Sequence, residues 1–327
     1  MTTSRQIHLV RRPTGVPVPE DFAVVDVITP DAGDGEVQVQ NLLMSVDPYM
    51  RPRLTADQAL NAPMIGGGIG RVVQSHNPAF QVGDLVRHGA GMQERFNSSG
   101  KGLQILRPDP DLALSVYMHA LGGTGLTAYG GLLETGALKD GEQVFFSTAA
   151  GAVGSVAAQI AKIKGCYVVG ATGTDDKAAW LRDEVGLDAV INYKTQPLAE
   201  TLAAATPNGI DVYFENVGGG HLDAALTRMN VRGRIPVCGM ISTYNGGGDG
   251  VTNLFALIYG RIRMEGFVAS DFPHLNAAFV ADMTGWLKDG RMKYQETILE
   301  GFERAPEGLI GLFSGMNTGK MLIRVAD

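Results

Sequence analysis

Residues 143–154 read QVFFSTAAGAVG and run directly into SVAAQIAKIKG at 155–165 and CYVVGAT at 166–172. A short, nearly continuous apolar run bounded by a turn signal describes a buried strand, and the Ala-rich stretch after it describes a helix. The expected unit is a strand over 143–147, a turn, a helix over 153–164 and a second strand over 167–171. The turn holds Ala149, Gly151 and Gly154 in an AxGxxG arrangement, a variant of the dinucleotide fingerprint. Ala149 and Gly151 let the backbone bend sharply and approach a pyrophosphate. Gly154 lets helix and strand pack closely, and the helix start offers unpaired N–H groups to an anion. A glycine-rich turn that binds nothing would carry the same letters, but strand, turn, helix and strand occur here in the order the binding unit requires.

Outward from this unit the pattern continues. Strands are expected at 189–191, 211–215, 234–238 and 263–268, with helices at 177–185, 198–204 and 222–229 between them, which is the alternation of a parallel sheet. The first hundred residues differ. They hold short β-branched runs at 23–28, 36–41, 70–75 and 84–87, broken by Pro, Gly and Asp, as in a compact β-barrel. The run Gly66–Gly70 precedes a strand instead of a helix and reads as barrel turns. Residues 295–327 return to short strands around one helix. The fold class is therefore α/β, with a β-barrel domain from 1–115 with 295–327 and a Rossmann, doubly wound parallel-sheet domain over 116–294.

Composition narrows the function. In 327 residues, 27 Lys and Arg stand against 34 Asp and Glu, a net charge of −7 with no basic cluster, so nucleic acid and anionic membranes are not expected partners. No apolar run reaches the length of a membrane span or a signal-peptide core, and a soluble cytoplasmic chain is expected. Two cysteines, Cys166 and Cys238, exclude a disulfide framework and a four-cysteine zinc site. Each lies within or at the end of a strand, and no metal is expected. None of the six histidines has metal-ligand spacing, and neither GxSxG nor GxxxxGK[ST] occurs.

The residues after the second strand, GATGTDDK at 170–177, bear on which nicotinamide coenzyme fits. Lys177 sits where an ammonium can neutralise a 2′-phosphate, which favours NADP(H). Asp175 or Asp176 could instead grip a ribose hydroxyl, although an Asp at this point more often caps the helix.

Several segments together resemble the zinc-independent medium-chain dehydrogenase/reductase superfamily, in the group of leukotriene B4 dehydrogenase, prostaglandin reductase and plant double-bond reductase. They include SVDPYMRPRL at 45–54, GLTAYGGLLETG at 125–136, AAGAVGSVAAQIAKIKGCYVVG at 149–170, INYK at 191–194, DVYFENVGG at 211–219, CGMISTYN at 238–245, RMEGF at 263–267 and NTGK at 317–320. The resemblance implies a GroES-like catalytic domain, a Rossmann domain, NADPH in the cleft and usually a homodimer. It places the pyrophosphate at Gly151, Ala152, Val153 and Gly154, and the 2′-phosphate at Lys177 and Tyr193. The ribose and nicotinamide fall to Asn216, Cys238, Gly239, Met240, Ile241, Ser242, Tyr244, Phe267, Val268, Ala269 and Asn317. Tyr193 as a surface ring, and Asn216 and Asn317 as turn residues, remain open readings. GGTGLT at 122–127 departs from the group's usual GMPGLT.

In the resembling enzymes, hydride passes from the nicotinamide to the β-carbon of an α,β-unsaturated ketone or aldehyde, and charge builds on the carbonyl oxygen. A hydrogen-bond donor must meet that oxygen. The matching residue is Tyr259 in LFALIYG; read by itself, a tyrosine closing an aliphatic run packs into a core. Tyr49 is the expected substrate contact. An NADPH quinone reductase and a non-enzymatic NADPH-binding sensor are the competing readings.

Overall fold

The computed structural model describes residues 1–248 and 250–326; Asp249 and Asp327, which the domain ranges above include, lie outside them. In chain order the elements are β1 (Thr2–Leu9), β2 (Phe22–Thr29), β3 (Val37–Ser45), α1 (Met50–Ala56), β4 (Gly68–Ser75), β5 (Leu85–His88), β6 (Arg95–Ser98) and β7 (Gln104–Leu106). After these come α2 (Gly123–Gly130), β8 (Gln143–Phe146), α3 (Gly154–Ile163), β9 (Tyr167–Thr172), α4 (Asp175–Asp183), β10 (Ala189–Asn192), α5 (Leu198–Ala205), β11 (Ile210–Phe214) and α6 (Gly219–Leu226). The remainder are β12 (Met229–Val237), α7 (Ala256–Gly260), β13 (Arg263–Gly266), α8 (Asn276–Lys288), β14 (Glu296–Glu300), α9 (Ala305–Ser314) and β15 (Lys320–Arg324). The chain divides into one unit of Met1–Met118, Glu296–Asn317 and Met321–Asp327, and another of His119–Gln295 and Thr318–Lys320.

The first unit is built on a sheet ordered β14-β15-β3-β4-β5-β7, with β6 also pairing β3, and a separate β1–β2 hairpin. Its core gathers Ile7, Leu9, Phe22, Met44, Met50, Leu54, Phe302, Leu309 and Ile323, so both chain ends contribute to one apolar interior. The glycine run expected as turns is partly strand: Gly68 and Gly70 lie inside β4. The reason is crowding where β3 and β4 shift register. A Cβ at Gly68 would lie 2.8 Å from both Asn41 Oδ1 and Leu43 O, and one at Gly70 would strike Val39.

The second unit carries a parallel sheet ordered β10-β9-β8-β11-β12-β13. β8, first in the chain, sits in the middle. Later strands run outward on either side of it, so the order reverses between β8 and β11, and ligands of such sheets bind at the carboxyl ends beside this switch. Val144, Phe145 and Phe146 are at most 1% exposed, as a strand covered on both faces requires. Phe145 stacks on Tyr213 at 5.0 Å, in a core shared with Ala171, Leu202 and Leu222.

Candidate functional site

The carboxyl edge of the parallel sheet brings together most of the expected binding residues. At the end of β8 the chain turns through Thr148, whose φ of +51° is costly for a β-branched residue. That conformation lets Gly151 N donate to Thr148 O at 2.9 Å, closing the bend before α3. A side chain at Gly154 would collide with Thr148 O and come within 3.1 Å of Ala149 Cα. Gly170 is needed for a similar reason, because its Cβ would stand 2.7 Å from that of Ala149. The bend is further held by Gly319, which donates to Ala150 O at 2.8 Å, and by a 3.0 Å bond between His119 Nε2 and Ala152 O.

At the ends of β9 and β10, Gly173, Lys177, Tyr193 and Lys194 converge. Tyr193 Oη lies 3.0 Å, and Lys194 Cε 3.4 Å, from where a Cβ on Gly173 would stand. Burial and then the neighbouring Lys194 ammonium hold the Lys177 pKa below its usual value. Tyr193 and the Lys194 side chain crowd Gly173, and the Lys177 ammonium lies near enough to that of Lys194 to feel its charge, so an anion placed here would relieve the repulsion. The helix cap is neither of the two aspartates considered above: Thr174 caps α4, its hydroxyl accepting from Lys177 N at 3.4 Å. Asp175 instead accepts from Asn192 Nδ2 at 2.7 Å and ties the two strand ends together.

At the ends of β11 and β12 the organising residue is Glu215, fully buried and absent from the residues expected above. Its Oε1 accepts from Val217 N (2.6 Å), Gly218 N (3.0 Å) and Ser147 Oγ (3.1 Å), and its carbonyl accepts from Cys238 N (2.9 Å). Burial pushes its carboxyl pKa up, partly offset by those donors. Asn216 is more than a turn residue, because its amide donates to Ser147 O at 2.8 Å. Ile241 N in turn donates to Asn216 O at 3.1 Å, Ser242 N to Val217 O at 3.0 Å, and Met240 N to Tyr244 Oη at 3.3 Å. Residues 216–218 and 238–244 thus form one hydrogen-bonded surface. Burial, followed by the charge of Glu215, pushes the Cys238 thiol up to about 12, which keeps it protonated.

The remaining residues divide. Phe267 follows β13 and packs its ring against Phe214 and Phe272, leaving Val268, 59% exposed, and Ala269 at the edge. Tyr259 departs from the core reading: it is 72% exposed on α7, with its ring tilted against Phe255 at 5.1 Å between centroids. The opposite side of that helix, Ala256 and Leu257, joins the apolar cluster that includes Met240. Tyr49 and Asn317 belong to the other unit, where burial raises the Tyr49 pKa. Sequence reasoning passed over Lys194, one residue beyond Tyr193 in INYK, and Ser147 and Glu215, which end buried strands. A carboxylate directly after the apolar run Val212–Phe214 was the available signal. Among the described residues, no group of three or more His, Cys, Asp or Glu is placed to hold a metal ion.

Comparison with known proteins agrees with this geometry. Residues 5–106 match the family described as the N-terminal domain of oxidoreductase, and residues 152–283 the family described as zinc-binding dehydrogenase. The chain is 42% identical to the NADP(+)-dependent 2-alkenal reductase of Nicotiana tabacum, over 99% of this chain and 98% of that one. It is 41% identical to the NADPH-dependent curcumin reductase of Escherichia coli (strain K12), over 99% and 97% respectively. The crystal structure of CurA from Vibrio vulnificus in complex with NADPH superposes with a TM-score of 0.92 at 38% identity, covering 99% of each chain. The chain therefore belongs to the medium-chain dehydrogenase/reductase superfamily, in the group of the prostaglandin, alkenal and curcumin reductases.

Proposed function

We propose that the protein is an NADPH-dependent oxidoreductase that reduces the C=C bond of α,β-unsaturated ketones and aldehydes. The observation that carries this reading is the meeting of Tyr193 and Lys194 at Gly173, with Lys177 close enough to Lys194 for the two charges to interact, on a chain about 40% identical along its whole length to NADPH-dependent reductases. When bound, the coenzyme supplies a hydride. The protein's own residues do the rest. Gly151, Ala152, Val153 and Gly154 bring the backbone to the pyrophosphate, and the two lysines and Tyr193 neutralise and orient the 2′-phosphate. Asn216, the segment from Cys238 to Tyr244, Phe267, Val268, Ala269 and Asn317 surround the ribose and nicotinamide.

In this reading Tyr259 donates a hydrogen bond to the carbonyl oxygen as negative charge develops there, and Tyr49 contacts the substrate. The test is a spectrophotometric screen of NADPH oxidation over enones, enals, quinones and nitroalkenes. Turnover of enones and enals supports the proposal; turnover of quinones alone replaces it with a quinone reductase; NADPH binding without turnover of any of them replaces it with a sensor.

We also propose a homodimer. β13 ends the parallel sheet with all four of its residues exposed, and the same segment displays Phe255 (66% exposed), Ile258 (64%) and Met264 (41%). An open strand edge beside exposed apolar side chains is a surface suited to pairing with a second copy.

A further inference from the structure

His221 lies in the first turn of α6, outside every role assigned above. It is 8% exposed, its ring stands edge-on to Tyr193 (centroids 4.8 Å apart, planes at 82°), and its Nε2 has no hydrogen-bond partner among the described residues.

We propose that His221 is a positioning residue for coenzyme selectivity: its ring braces Tyr193 so that the phenol stays over Gly173, facing the same 2′-phosphate as Lys177 and Lys194. The inference rests on the reading that NADP(H) binds at this edge. Three observations support it. Tyr193 is 37% exposed, and the edge-on contact with His221 packs one side of its ring. Gly173 has no side chain to block the space the phenol occupies, and a Cβ there would meet Tyr193 Oη at 3.0 Å. Burial also pushes the His221 pKa down to about 4, so the imidazole is uncharged at neutral pH and acts by shape, not as a third cation. An NADH molecule lacks the phosphate that the braced phenol meets, so losing the brace should affect NADPH selectively.

The experiment is fluorescence titration of the full chain with NADPH and with NADH, using His221→Leu, His221→Phe, Tyr193→Phe and the His221→Leu/Tyr193→Phe pair. His221→Leu should weaken NADPH about tenfold and NADH less than about twofold, while His221→Phe, which keeps a ring edge, stays within about twofold of the parent for both. If His221 acts through Tyr193, adding His221→Leu to Tyr193→Phe should cause no further selective loss. Equal weakening of both coenzymes by His221→Leu, or additive selective losses in the pair, would overturn the proposal. Should His221→Leu fail to fold, His221→Met replaces it under the same criteria. Lys177→Ala and Lys194→Ala separate the two levels of argument. If they weaken NADPH and NADH alike, the phosphate reading itself falls. If they weaken NADPH selectively while His221→Leu does not, only the role of His221 falls.

Discussion

Ser147 Oγ donates to Glu215 Oε1 at 3.1 Å and so joins the ends of β8 and β11, the two strands between which the order of the parallel sheet reverses. One buried carboxylate oxygen thereby gathers a hydroxyl and two backbone N–H groups at the place where the coenzyme is proposed to bind.

Glu215 makes stability depend on pH. Burial raises its folded pKa above the ordinary 4.5, so the folded chain binds the proton more tightly than the unfolded one. Its favourable contribution is therefore present below pH 4.5 and lost as pH rises through the elevated value. Glu215→Gln removes that slope. The difference in Tm between variant and parent should move in the variant's favour from pH 4.5 toward neutrality, measured by thermal melts at stepped pH. A flat difference would show that the carboxyl does not titrate in this window.

Gly154→Ala places a methyl group against Thr148 O, in a bend already committed to a positive φ. Overpacking of this kind costs about 1–3 kcal/mol. The variant should melt at lower temperature and bind NADPH more weakly, read by calorimetry and by titration; a parent-like melt would mean that the bend can shift.

Because Tyr259 is 72% exposed and makes little core contact, Tyr259→Phe should leave Tm unchanged. NADPH affinity should also hold, while kcat on an enone falls about 100-fold, the scale of one lost donor to a developing oxyanion. Steady-state kinetics decide this, and unaltered kcat would remove the phenol from the reaction.

Asp223 on α6 accepts from Thr252 N at 2.7 Å and from Asn253 N at 2.9 Å, fastening the chain just ahead of the helix that carries Tyr259. Asp223→Ala should lower kcat/KM several-fold with a stability loss of about 1 kcal/mol, since one bond is exposed and the other only partly buried. A large loss of stability without a kinetic effect would assign the contact to folding alone.

If two copies pair along β13, Phe255→Glu with Met264→Glu should convert a dimer into a monomer in sedimentation velocity, both side chains being exposed on that edge. A parent chain that sediments as a monomer would rule the pairing out.

The fingerprint unit was legible from residues 143–172 because each of its demands is local: an apolar strand, small residues at the bend, and a helix of matching period. Strands β9 to β11 were legible for the same reason, as short apolar runs between turn signals, whereas β12 begins at Met229, inside the helix expected over 222–229, and β13 (Arg263–Gly266) is a short exposed edge with two charged residues. Gly68 and Gly70 were not, since what requires glycine there is the approach of Asn41, Val39 and Leu43 from a neighbouring strand. The exposure of Tyr259 was hidden too: its aliphatic neighbours read as core, yet only one side of α7 is packed. Sequence by itself determined the family, the alternation of strand and helix, and the bend. Only the tertiary structure decided that Glu215 ties β8 to β11, that Lys194 joins Lys177 beside Gly173, and that His221 braces Tyr193. Those relations link side chains 17 to 68 positions apart in the chain, and no local periodicity records a contact made by the ends of different strands.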